Sequence, residues 1–100
     1  MVYCLVGLGA NIGDPLSQLR RAVHDLRTHP GIAHVMPSPV YRTPPMGPPD
    51  QPDYLNAVAG LDTELAPEPL LDILQAIERG AGRVRGRRWG QRTLDLDLLL

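Results

Sequence analysis

The chain has 100 residues, enough for one domain with a single two-layer core, because a chain of this size hides only roughly 60 to 70% of its unfolded surface on folding. A formal net charge of −1 argues against wrapping nucleic acid over the whole surface, and no apolar run approaches the roughly 20 residues of a membrane span. All ten basic residues are arginine, which removes the phosphate-loop lysine of Walker-type nucleotide binders, the strand lysine of protein kinases and every Schiff-base mechanism in one step.

Residues Val2 to Leu8 are apolar and rich in β-branched side chains, and they predict a buried strand that enters a glycine-rich turn over Gly7 to Asp14. Asp14 is a good N-cap with Pro15 at the first helical position, and Leu16, Leu19, Val23 and Leu26 recur at helical spacing until His29-Pro30-Gly31 stops the helix. Ala33 to Thr43 reads as extended, but Pro37 and Pro39 remove two ladder donors, so this strand is expected at a sheet edge or split by a bulge. Thr43 to Pro52 contains five prolines and reads as a loop with largely preset dihedrals, hinged at Gly47.

From Tyr54 to Asp62 the pattern alternates, with Leu55, Ala57, Ala59 and Leu61 on one face and Asn56 and Val58 on the other. Pro67 and Pro69 open a second helix whose apolar face is Leu70, Ile73, Leu74 and Ile77 and which ends near Gly80. Leu94 to Leu100 is a last strand, with Leu94, Leu96, Leu98 and Leu100 on one face and Asp95, Asp97 and Leu99 on the other. The order is βαββαβ, for which the simplest packing is a ferredoxin-like α+β sandwich: an antiparallel four-stranded sheet with two helices on one face and the other face open. Residues 1–100 read as a single domain that stops inside its last strand, as a truncated chain would, and the open strand edge predicts self-association.

Acyl transfer and zinc chemistry find no support. Cys4 is the only cysteine and sits in an apolar run, Ser17 and Ser38 lie outside any G-x-S-x-G setting, and His24, His29 and His34 recur at a spacing that does not share a helix face. Met1 leads into the first strand without a basic region or cleavage motif, so a cytoplasmic protein is expected. Gly7 and Gly9 invite a dinucleotide reading, but the third glycine of G-x-G-x-x-G falls one place late, at Gly13, and turn geometry explains them better.

Two signals carry chemistry. Between Arg79 and Arg92 lie six arginines and no acid, while the remainder sets four arginines against all eleven acids. Guanidinium forks bind phosphate oxygens in bidentate fashion, and Gly80, Gly82, Gly86 and Gly90 let the segment fold around a small polyanion. A solvated loop or an RNA-contacting arm has the same composition. Trp89 within it could stack on a base or anchor the loop to the core. Three residues on, Asp95 and Asp97 point the same way from one strand with Cα atoms about 6.5 to 7 Å apart. Hard carboxylates select Mg²⁺, which takes its remaining ligands from water and substrate phosphates. Side by side, the two signals suit phosphoryl-type transfer, where catalysis is positioning and charge neutralisation.

Several motifs in order then resemble a known family, the 6-hydroxymethyl-7,8-dihydropterin pyrophosphokinases of folate biosynthesis. They are Gly7-Leu8-Gly9-Ala10-Asn11-Ile12-Gly13-Asp14, Tyr41-Arg42-Thr43-Pro44-Pro45-Met46-Gly47, Asp50-Gln51-Pro52-Asp53-Tyr54-Leu55-Asn56-Ala57, Gly82-Arg83-Val84-Arg85, and Arg88-Trp89-Gly90-Gln91-Arg92-Thr93-Leu94-Asp95-Leu96-Asp97. The resemblance implies transfer of the β,γ-pyrophosphoryl group of ATP to the hydroxymethyl oxygen of the reduced pterin, with release of AMP. Asp95 and Asp97 match ligands of two Mg²⁺ ions, Arg83 and Arg92 match catalytic-loop arginines, and Arg85, Arg88 and Trp89 fall in the loop that closes over ATP. Gln75 and Glu78 resemble nucleotide-side contacts, and Thr43, Pro44, Met46, Tyr54 and Asn56 resemble the pterin side.

Two departures stand out. Gln91 replaces a proline usual in the family, and the family continues past the D-x-D strand into a part that supplies a second aromatic for the pterin and further ATP contacts. The alternatives are a non-catalytic ferredoxin-like module that binds RNA or nucleotide through the arginine loop, an inactive fragment of the enzyme, and one part of a fused folate enzyme. Steep salt dependence of RNA affinity without a response to Mg-ATP would mark the binding module.

Overall fold

A computed structural model of the chain describes residues 1–44, 53–81 and 94–99. Five strands and two helices follow in the order β1 (Val2–Ala10), α1 (Pro15–Thr28), β2 (Ile32–Pro37), β3 (Tyr41–Thr43), β4 (Tyr54–Thr63), α2 (Pro67–Gly80) and β5 (Asp95–Leu98). The expected αβ order holds, and each boundary has a local cause. Asp14 caps α1: its carboxylate accepts the Ser17 N–H at 3.4 Å and the Ser17 hydroxyl at 2.8 Å, while Pro15 fills a first-turn position that needs no donor. The helix closes at His29, whose N–H reaches the Leu26 carbonyl and whose Nδ1 accepts the Gly31 N–H at 3.0 Å. α2 opens on Pro67 without a side-chain cap, and Leu70 N–H donates to the Ala66 carbonyl at 3.1 Å.

The sheet runs β2-β4-β1-β5, every pairing is antiparallel, and β3 continues the β2 edge alongside β4. β1 and β2 are thus parallel with β4 between them, and β4 and β5 are parallel with β1 between them. These are two interleaved split βαβ units, the ferredoxin-like α+β arrangement.

The one extra strand comes from the proline-interrupted segment. Instead of a single strand over Ala33 to Thr43, the chain makes two short ones, because Pro37 and Pro39 cannot donate to a ladder. Ser38 between them bridges the gap: its N–H donates to the Val58 carbonyl at 2.7 Å, and its hydroxyl accepts the Val58 N–H at 2.9 Å. A register shift between Ala33 and Met36 adds a bulge at His34, which has a φ of 55° and places Nδ1 3.0 Å from an Asp62 carboxylate oxygen.

Both helices cover one face of the sheet. The core gathers Cys4, Val6, Leu8 and Ala10 from β1, Ala57, Ala59 and Leu61 from β4, Leu19, Ala22 and Leu26 from α1, and Leu70 and Leu74 from α2. Ile32 and Val35 from β2, with Leu94 and Leu96 at the last strand, complete it. Leu16, expected in the α1 stripe, is 37% exposed, and Ala22 takes the place against the sheet. No described helix is long and apolar enough to cross a membrane.

Candidate functional site

Because side chains alternate along a strand, the residues between the core positions all emerge on the uncovered face. On β1 these include Gly7 and Gly9, which the sequence assigned to a turn. They lie within the strand, which runs to Ala10, and only Gly13 has the positive φ that a turn glycine serves. The Leu99 side chain lies over Gly7, 3.3 Å from where a Cβ would stand, and Gly9 faces the Asn56 amide. Gly9 pairs with Asn56 of β4 on one side and Asp95 of β5 on the other, and Gly7 pairs likewise with Val58 and Asp97. A Cβ at Gly9 would lie 3.1 Å from the Asn56 side-chain oxygen, so a side chain at residue 9 would press the amide aside by a few tenths of an ångström.

On this face is a cavity of about 250 Å³ whose walls include Tyr54, Asn56 and Val58 on the β4 side and Asp95 and Asp97 on the β5 side. The Asn56 Nδ2 donates to Thr43 Oγ1 at 2.7 Å, which fixes the amide and joins the short strand β3 to the cavity wall. A second cavity, of about 350 Å³, lies on the outer side of β5 against α2, where Gln75 and Glu78 face Asp95 and Asp97. The two aspartates therefore line both cavities, which meet along β5. A further cavity of about 380 Å³ between α1 and the β2–β3 link has no carboxylate in its lining.

The donor set at the seam is hard oxygen. Asp95 and Asp97 alone would leave an ion coordination places for water and substrate oxygens. That is the habit of Mg²⁺, and the residues present fit it. Glu78 stands apart from the other acids in being 5% exposed, and its Oε2 accepts the Leu96 N–H at 2.8 Å. It occupies the next place in the Leu70 and Leu74 row on α2, so a carboxylate sits where helical spacing would put an apolar residue.

The model of the 7,8-dihydro-6-hydroxymethylpterin-pyrophosphokinase family matches residues 5–100. The chain belongs to that family. Among its relatives is 2-amino-4-hydroxy-6-hydroxymethyldihydropteridine pyrophosphokinase of Haemophilus influenzae, 50% identical over all of this chain and 62% of that protein. The Pseudomonas aeruginosa protein of the same name is 53% identical over 95% of the chain and 59% of its own length. A Pseudomonas putida pyrophosphokinase is 53% identical over 99% of the chain and 82% of its length. The chain spans about 60% of the first two of these relatives.

Of the residues expected to serve a pyrophosphokinase, Thr43, Tyr54 and Asn56 come together at one end of the open face, and Pro44 follows Thr43 directly. Asp95 and Asp97 stand beside them across β1, and Gln75 and Glu78 lie beyond β5. Met46, Arg83, Arg85, Arg88, Trp89 and Arg92 fall outside the described residues, as does Arg87. Sequence reasoning missed the part played by Gly7 and Gly9. The signal was available: counting alternate positions from Cys4, Val6 and Leu8 puts both glycines on the face opposite the core.

Proposed function

We propose that this protein transfers the pyrophosphoryl group of ATP to the hydroxymethyl oxygen of 6-hydroxymethyl-7,8-dihydropterin. The substrate hydroxyl oxygen bonds to the β-phosphorus and gives up its proton to solvent, the bond between that phosphorus and the α–β bridging oxygen breaks, and AMP leaves. The observation that carries this reading is the position of Asp95 and Asp97 in the wall of two adjoining cavities. A transfer between two bound substrates needs shared charge at their junction, with one substrate on each side.

The side containing Tyr54 and Asn56 suits the pterin. The Tyr54 ring offers a flat apolar face, and the Asn56 amide offers a donor and an acceptor held in place by Thr43. The bare strand at Gly9 lets a planar ring approach the backbone. The α2 side, with Gln75, suits the nucleotide. Asp95 and Asp97 would hold Mg²⁺, two ions in our reading, which supplies charge neutralisation for the triphosphate. Arg83 and Arg92 are assigned to the transferring phosphates, Arg85, Arg88 and Trp89 to ATP, and Pro44 and Met46 to the pterin edge, on the family resemblance. Residues 1–100 contribute to a single pyrophosphokinase domain that works in the cytoplasm, where ATP is available.

The test is pterin-dependent release of AMP from ATP by the purified protein. Asp95→Ala and Asp97→Ala should each lower turnover by about a thousandfold or more, an effect of the size seen when charge stabilisation is removed from a reacting centre. Circular dichroism should stay unchanged. Wild-type turnover in both folded variants would contradict the reading.

A further inference from the structure

Among the described residues β5 pairs with β1 alone. On the β1–β5 ladder the Leu99 N–H donates to the Leu5 carbonyl at 2.9 Å, and the register then pairs Asp97 with Gly7 and Asp95 with Gly9. Antiparallel bonding alternates along a strand, so the residues that bond to β1 are 95, 97 and 99, and the Leu96 N–H points away from the sheet. Leu96 is 6% exposed, and a buried outward N–H needs a partner. The partner is the Glu78 carboxylate at 2.8 Å, carried by the last turns of α2 and itself 5% exposed.

We infer that Glu78 is a positioning residue for Asp95 and Asp97. It holds the peptide between them and thereby sets the height and direction from which both carboxylates meet their ligand. This inference rests on the reading of Asp95 and Asp97 as the metal-binding pair and goes beyond it. It gives Glu78 work through the backbone, distinct from any contact with nucleotide. A carboxylate accepting a backbone N–H makes a charge-assisted bond, stronger than a neutral one. The same bond covers the middle of β5 against pairing with another chain.

The experiment uses three variants of the purified protein and two readouts. Amide hydrogen exchange reports the Leu96 N–H directly, and calorimetry reports binding of a nonhydrolysable ATP analogue with Mg²⁺. In Glu78→Ala the Leu96 protection should fall at least tenfold, and magnesium-dependent nucleotide affinity should fall by a similar factor. In Glu78→Gln the side-chain carbonyl can still accept the N–H, so Leu96 protection should stay within about threefold of wild type. Asp95→Asn should lose metal-dependent binding and keep Leu96 protection. Unchanged Leu96 protection in a folded Glu78→Ala variant overturns the inference, as does a Glu78→Gln variant that loses as much protection as Glu78→Ala. If Asp95→Asn binds magnesium nucleotide like wild type, the metal assignment fails, and the exchange result alone then says whether Glu78 holds β5.

Discussion

The two faces of the sheet are made by the same strands and differ in almost everything else. On β1, Cys4, Val6, Leu8 and Ala10 are buried under the helices, while Gly7 and Gly9, one position away, form the floor of a cavity. On β5, Leu96 is buried and Asp95 and Asp97 face the ligand side. One residue of register separates a position whose side chain is in the core from one that lines a cavity. The comparison teaches that each strand is under two constraints with a period of two.

That contrast would be tested hardest on the covered face. Leu61 is fully buried in the middle of β4, and Leu61→Ala should cost about 2 to 5 kcal/mol in urea unfolding. Turnover per folded molecule should change little. A comparable loss of activity in molecules that remain folded would show that the faces are not independent.

On the open face the expected balance reverses. In Gly9→Ala the added methyl group would meet the Asn56 oxygen at 3.1 Å and displace the amide bonded to Thr43. Losing one positioned hydrogen bond should weaken binding of a pterin analogue about five- to tenfold, with a much smaller change in stability. Equal pterin affinity in Gly9→Ala would mean that Asn56 does not read the ring.

The smallest effect is expected away from both cavities. Asp14→Ala removes the α1 cap and should lower stability by about 1 kcal/mol, leaving substrate binding intact. Thermal unfolding and calorimetry on the same sample would separate the two quantities.

Much of the fold was legible because local signals agree with global ones. The alternation from Tyr54 to Asp62, the Asp14-Pro15 start and the D-x-D strand each state their structure within a few residues, and the sheet order follows from the order of elements. What was not legible depended on contacts between distant residues. That Gly7 and Gly9 serve Asn56, Asp95 and Asp97 is a fact of register across three strands. That Glu78 bonds Leu96 is a fact of how α2 lies along β5. The family resemblance placed Glu78 on the nucleotide side, although helical spacing continued the Leu70 and Leu74 row inward. The split of the second strand was half visible: the prolines announced an interruption, but the bridging role of Ser38 needed Val58 beside it.

The most direct test of the central claim, that one pair of aspartates serves two substrate cavities, is a calorimetric titration of the purified protein. A nonhydrolysable ATP analogue would be added with and without Mg²⁺, followed by a hydroxymethyl pterin analogue. The account predicts that nucleotide binds only with magnesium, that the bound magnesium nucleotide tightens the pterin, and that both effects vanish in Asp95→Ala and Asp97→Ala. Nucleotide binding indifferent to magnesium, or a pterin affinity that does not respond to the nucleotide, would contradict it.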